Sequence, residues 1–147
     1  MLLAGTTACS GDTGAGRILS DDPGGFSIGS VEVSGEEWTV AIADTPTERS
    51  QGLRGISALG DLGGMLFVFD EETNTSFTMA NTLMPIDIAF FDASGSLVDL
   101  LEMVPCAEDP CPSYRAAASF RYALETESGG FDGMEPLVLD ASIAVRE

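Results

Sequence analysis

The sequence predicts a mainly β fold at the α+β borderline: an antiparallel curled sheet or partly closed barrel with one or two short helices. Three observations predict it. Short apolar runs recur at strand rather than helix length, among them Met65–Phe69, Ser76–Met79 and Ile86–Phe91. Turn residues separate these runs at close intervals, as at Ala93-Ser94-Gly95. One segment, Asp44 to Glu48, carries clear helix-start chemistry. A chain of 147 residues with 44% hydrophobic content suits one domain with one core.

The first twenty-five positions read differently from the rest. Residues 4–25 are rich in Gly, Ser, Thr and Asp and lack apolar periodicity, so residues 1–25 are expected to form a signal remnant and flexible tether. The folded domain is expected over residues 26–147, with Phe26, Ile28, Val31 and Val33 its first core positions. Val31–Val33 and Trp38–Ala43 flank Ser34-Gly35-Glu36 and read as a hairpin. Thr45 as N-cap, Pro46 at the first helical position and Glu48 three residues after the cap form a capping box. A short helix follows to Gly52, too brief to be stable unless docked on the sheet.

Leu53 to Gly63 reads as an irregular loop whose Ile56, Leu59 and Leu62 make satellite core contacts. Gly63-Gly64 opens the strand Met65–Phe69, and Asp70 to Asn74 is an acidic turn. Thr75–Met79 is the next strand, followed by the polar pair Asn81-Thr82. Ile86–Phe91 and Leu97–Met103 form a hairpin; connections this short predict antiparallel pairing here. Ala117–Glu125 is a further strand, Ser128 to Glu135 a glycine-rich break, and Val138–Leu139 with Ile143–Val145 complete the sheet.

Charge excludes some functions. The chain has 24 acids and six basic residues, all Arg, with no His, for a net charge of -18. Nucleic acid is thereby excluded as a partner, and anionic lipid headgroups are repelled as well. Lack of His removes the commonest metal ligand and general base, and with them Ser-His-Asp and Cys-His nucleophile systems. No phosphate loop, zinc motif or spaced calcium loop is present, so no metal and no cofactor is expected.

Cysteine usage points to a compartment. Cys106 and Cys111 lie in a Pro-flanked loop without the CxxC spacing of redox proteins. They read as a structural disulfide, which belongs in an oxidising compartment; a reduced or redox-active pair is the alternative. Cys9 follows a Leu-containing stretch and the small residues Thr6-Thr7-Ala8, which resembles the end of a bacterial lipoprotein signal. Cys9 is therefore the candidate lipidation site, and a diacylated Cys9 would hold the domain at a membrane through its tether. The alternative is a plain terminal segment.

The motifs Ala43-Asp44-Thr45, Arg49, Gly52-Leu53, GMLFVF, SFTMANT, PIDIAFFD, the Cys106–Cys111 loop and RYALE resemble those of the DUF192 (UPF0127) family, in the family's order. The resemblance spans roughly residues 31–145 and implies a small β-rich domain, frequently exported or membrane-anchored, with no agreed activity. It departs from the family pattern in three places: the central motif has Thr78 for the usual Trp and Ala80 for the usual Lys, Arg54 stands where Met is frequent, and Ser128-Gly129-Gly130 argues against the family's usual C-terminal helix.

Arg49, Asn81, Thr82, Asp87 and Glu125 are the polar residues set within these motifs, and they are the candidate ligand-binding residues. Asp87 sits between Ile86 and Ile88 in a run that reads as buried. A buried carboxylate needs a partner, and Arg49 on the docked helix suits the part. The expected function is an exported, membrane-anchored, non-catalytic domain binding a small polar ligand such as a saccharide or cell-wall fragment. Two alternatives stand beside it: a carboxylate-dependent hydrolase of envelope glycans using Asp87 and Glu125, and a purely structural or interaction module.

Overall fold

In the computed structural model, residues 16–146 are described. Half of the chain is strand and 5% is helix, which makes the class mainly β. The strands are β1 (Arg17–Ile18), β2 (Ser27–Val33), β3 (Glu36–Ala43), β4 (Ile56–Ala58), β5 (Gly64–Thr73), β6 (Phe77–Thr78), β7 (Ile86–Phe91), β8 (Leu97–Met103), β9 (Ser113–Tyr114), β10 (Phe120–Glu127) and β11 (Leu139–Arg146). A single helix among the described residues, α1 (Pro46–Gln51), follows β3.

Seven strands form one curled half-barrel sheet in the order β11-β2-β3-β5-β10-β7-β8. Its hairpins follow local sequence. The β2–β3 turn places Ser34 (φ 51°) and Gly35 (φ 86°) in the left-handed region, which matches the twist of a two-residue hairpin. β7 and β8 pair antiparallel as their short connection requires. The sheet is not wholly antiparallel, however: β3 and β5 pair in parallel, Val40 opposite Gly64 through Ala43 opposite Phe67. The segment between them, which contains α1 and β4, is long enough for the crossover that parallel pairing needs.

The helix forms where its start chemistry lies. Thr45 Oγ1 accepts from the Glu48 N–H at 3.1 Å, and the Glu48 carboxylate accepts from the Asp44 N–H, one residue before the cap. Gly52 (φ 48°) ends it.

Strand alternation divides the core between the two faces of the sheet. Met65, Phe67, Ile88, Phe90 and Ala123 face one side, covered by residues such as Leu19, Leu53, Ile56 and Met79. Val40, Ile42, Leu66, Phe91 and Leu124 face the other, covered by the segment from Phe131 to Leu139. Trp38 stacks on Phe131 there, with ring centroids 5.6 Å apart.

Three boundaries differ from the sequence reading. The tether does not extend to residue 25, because β1 pairs with β4 and Leu19 is fully buried on the first face. Leu19, an apolar residue in a polar stretch, docks it together with the β1–β4 pairing, while Ile18 stays exposed. The acidic turn is shorter than expected, since β5 continues through Asp70 to Thr73, held by the pairing of Thr73 with Phe120. The segment expected as strand Thr75–Met79 forms only the two-residue β6, which leaves the main sheet and pairs with β9 in a small ribbon. Cys9 lies outside the described residues.

Candidate functional site

The strand β10 runs through the middle of the sheet, between β5 and β7, so its inward side chains meet neighbours on both sides. Glu125 lies opposite Met65 on one side and Ile88 on the other, both fully buried. Residues directly opposite in a sheet share a face, so the Glu125 side chain leaves the sheet between Met65 and Ile88 on the first face. Its side chain is 6% exposed and makes no hydrogen bond among the described residues. Desolvation disfavours the carboxylate, and burial pushes the Glu125 pKa up to about 8. At neutral pH it is mostly an uncharged acid, able to donate one hydrogen bond and to accept others.

Glu125 forms part of a cavity of about 390 Å³. The opposite wall is α1 and the residues after it, from Arg49 to Arg54; the remaining wall is the segment Thr75–Met79 with Thr82. That volume lies within the ~300–1,000 Å³ usual for small-molecule sites. Gly64 allows the sheet to close here, since a Cβ at that position would collide with the backbone carbonyl of Glu125. Arg49 reaches in from α1. Its Nη1 donates to the Val68 carbonyl at 2.9 Å, and its guanidinium lies over the Phe69 ring, 4.9 Å from the centroid. Phe77 packs edge-on against Phe67 at 5.3 Å and contacts Phe90 and Phe120 as well, so the thin β6 ribbon is anchored by one aromatic side chain.

The Cys106–Cys111 disulfide is formed, as the sequence led us to expect. It closes a loop beside the same ribbon: Ala80 bridges to Cys106, and Phe77 and Thr78 pair with Tyr114 and Ser113. The disulfide thus sits at the C-terminal end of β6, where Thr78 pairs with Ser113 and Ala80 bridges to Cys106.

Of the five residues singled out from sequence, the structure brings Arg49, Thr82 and Glu125 to this cavity. Asn81 is exposed and does not line it. It takes φ 60°, a conformation Asn tolerates well, and its carbonyl accepts from the Gly55 N–H at 2.8 Å. Asp87 lies on the other face of the sheet. It pairs with Thr126, one register position from the Ile88–Glu125 pair, and therefore points the opposite way from Glu125. Its carboxylate accepts from the Gly129 N–H at 3.0 Å and borders a wider groove with Leu97, Leu100 and Phe131.

The expected Asp87–Arg49 pair is therefore not formed, because sheet alternation separates the two side chains. The same alternation separates Asp87 from Glu125, so these two carboxylates do not flank one substrate. Sequence reasoning missed Arg54, Ser50, Thr75, Ser76 and Thr78 as cavity residues. For Arg54 there was a signal: a cation in an otherwise apolar loop between Leu53 and Ile56. Arg54 Nε donates to the Ser50 carbonyl at 3.2 Å, and Nη1 makes a long contact, 3.5 Å, with the Ala80 carbonyl.

Comparison with known proteins places this architecture. The model of the family DUF192, described as "Uncharacterized ACR", matches residues 29–136. A Sinorhizobium meliloti 1021 structure, described as a candidate transcription regulator, is 26% identical with a TM-score of 0.69, covering 78% of this chain and 94% of that one. A protein of unknown function from Novosphingobium aromaticivorans DSM 12444 is 21% identical with a TM-score of 0.66, covering 93% of this chain and 99% of that one; this likeness concerns the fold. Among curated proteins, none matches the chain.

Proposed function

The chain belongs to the DUF192 family, and we propose that it serves as an exported, membrane-anchored, non-catalytic domain that binds a small polar ligand in the cavity at Glu125. One observation carries the reading: a nine-tenths buried glutamic acid whose carboxyl has no hydrogen-bond partner among the described residues and keeps its accessible surface in the wall of a cavity large enough for a ligand. With no partner from the protein, the carboxyl oxygens are left to pair with whatever occupies the cavity, water or a ligand. A ligand hydroxyl or amide would supply that partner. Saccharides and cell-wall fragments suit such a wall, which offers hydroxyl side chains and aromatic rings together.

The disulfide is compatible with an oxidising compartment. Anchoring in this reading goes through Cys9, with the following polar residues as the tether. The hydrolase alternative loses its acid pair, since Asp87 and Glu125 face opposite sides. Transcriptional regulation, suggested by the description of the Sinorhizobium protein, does not suit a chain of net charge -18, which repels DNA.

The test is a thermal-shift screen of the chain against mono- and disaccharides and cell-wall fragments, with Glu125→Leu and Asp87→Asn alongside. A ligand that stabilises the wild type and Asp87→Asn, but not Glu125→Leu, supports the reading; saturation at about a hundred times Kd is worth ~2.7 kcal/mol. A ligand whose shift is abolished by Asp87→Asn alone would move the site to the other face. For the anchor, mass spectrometry of the membrane fraction should find a diacylated Cys9, and an unmodified soluble protein would refute it.

A further inference from the structure

Arginine placement narrows the ligand of this cavity. Six arginines face 24 acids in this chain, so ion pairing should be easy. Yet the ion pair found among the described residues is Arg17–Asp22, at 3.9 Å. Arg49, Arg54, Arg115 and Arg121 instead donate to backbone carbonyls, those of Val68, Ser50, Asn74 and Phe69 respectively. Val68, Phe69 and Asn74 belong to the stretch that leads into the cavity wall at Thr75. Four cations of an acidic protein are thus held by backbone carbonyls rather than by carboxylates, with most of their guanidinium donors uncommitted.

Two of them, Arg49 and Arg54, line the cavity itself. The nearby Asp44 feels the Arg49 charge but lies beyond ion-pair distance. The carboxyl that does share the cavity, Glu125, does not neutralise them, because burial keeps it protonated at neutral pH. The remaining polar lining is rich in hydroxyls: Ser50, Thr75, Ser76, Thr78 and Thr82. Guanidinium groups recognise carboxylates through their planar fork.

We propose that the ligand is a small hydroxylated carboxylate of the sugar-acid kind, its anion met by Arg49 and Arg54 and its hydroxyls by the Ser and Thr side chains around Glu125. This rests on the ligand-binding reading above. Binding of the anion disfavours ionisation of Glu125, so affinity is highest below pH 8 and falls above it. The other charged groups on the neighbouring elements are Asp44 and Glu48 at the start of α1, and Glu127 on β10, whose carboxylate accepts from the Leu59 N–H at 3.2 Å. A Glu125→Gln comparison separates the contribution of Glu125 from theirs.

The experiment is isothermal titration of the chain with glucuronate, galacturonate and gluconate, beside glucose, galactose, glucitol and acetate. At least one sugar acid should bind at pH 7 at least tenfold more tightly than its neutral counterpart and than acetate. Arg54→Gln should weaken it about tenfold while leaving the melting temperature unchanged. Between pH 7 and 9 the wild type should lose about tenfold in affinity, and Glu125→Gln should lose little. Neutral sugars binding as tightly as their acids would overturn the anion preference and leave the small-ligand reading standing. Acetate binding as tightly would overturn the role of the hydroxyls. No binding by any acid or neutral compound would overturn this inference, and with a blank saccharide screen the ligand-binding reading too.

Discussion

Replacing Glu125 with Gln should stabilise the protein, and by more as pH rises. In the unfolded chain Glu125 ionises near 4.5, whereas burial in the fold raises this to about 8. Below pH 4.5 both states carry the proton and the group costs nothing on this account. As pH rises from 4.5 to 8 the unfolded chain gains the solvation of a carboxylate that the folded one forgoes. Stability is therefore lost through this window, by up to ~1.4 kcal/mol per pH unit. The accumulated cost is about 3 kcal/mol at pH 7 and approaches ~5 kcal/mol above pH 8. Gln has nearly the same shape and stays neutral throughout, so the variant escapes the cost. Urea unfolding of both proteins at intervals from pH 4 to 9 measures it. The two should agree within ~1 kcal/mol at pH 4 and diverge steadily above, with the other carboxylates cancelling in the difference. Curves that run parallel across the range would refute the reasoning, because Glu125 would then titrate alike in both states.

Further outcomes follow from the same geometry. Arg49→Ala removes the contact with the Phe69 ring and the bond to the Val68 carbonyl, and should cost ~1–2 kcal/mol in denaturant unfolding. Gly64→Ala should be far more harmful than its size suggests, since the new methyl meets the Glu125 backbone; loss of the cooperative melting transition, or a large drop in its midpoint, is expected. Asp87→Asn should change stability by less than ~1 kcal/mol, because Asn can still accept from the Gly129 N–H and no buried ion pair is broken. Replacing Cys106 and Cys111 by Ser should cost about 2 kcal/mol, the value for so short a closed loop; hydrogen exchange should quicken first at Phe77 and Thr78, whose partners flank that loop.

Local chemistry made much of this fold legible. The Ser34-Gly35 turn, the Thr45 cap with Pro46, and the β7–β8 hairpin each depend on a few adjacent residues, and each formed where those residues stood. The parallel β3–β5 pair was not legible, because the crossover runs mostly through irregular chain and a short helix rather than a long amphipathic one. β6 was misjudged for a related reason: an apolar run shows that a segment is buried, not which strand it joins, and Phe77 buries itself from a side ribbon.

The site was half legible. Glu125 and Arg49 stand out as charges within apolar strand and docked helix. Asp87 stands out by the same signal yet faces the other side, and only register, which comes from pairing with β10, tells the two acids apart. The cavity arises between α1, the 75–82 segment and β10, which are remote in sequence, so Arg54 and the hydroxyl residues gave little advance sign of meeting Glu125.

The most direct test of the account is an NMR titration of the Glu125 side-chain carboxyl carbon in the folded chain, with Glu125→Gln to assign the resonance. An uncharged acid in the cavity wall predicts a midpoint near 8 and a further rise when a binding carboxylate is added. A midpoint near the ordinary 4.5 would mean that Glu125 is solvated or paired, and would contradict the buried, unpartnered carboxyl on which the proposed site rests.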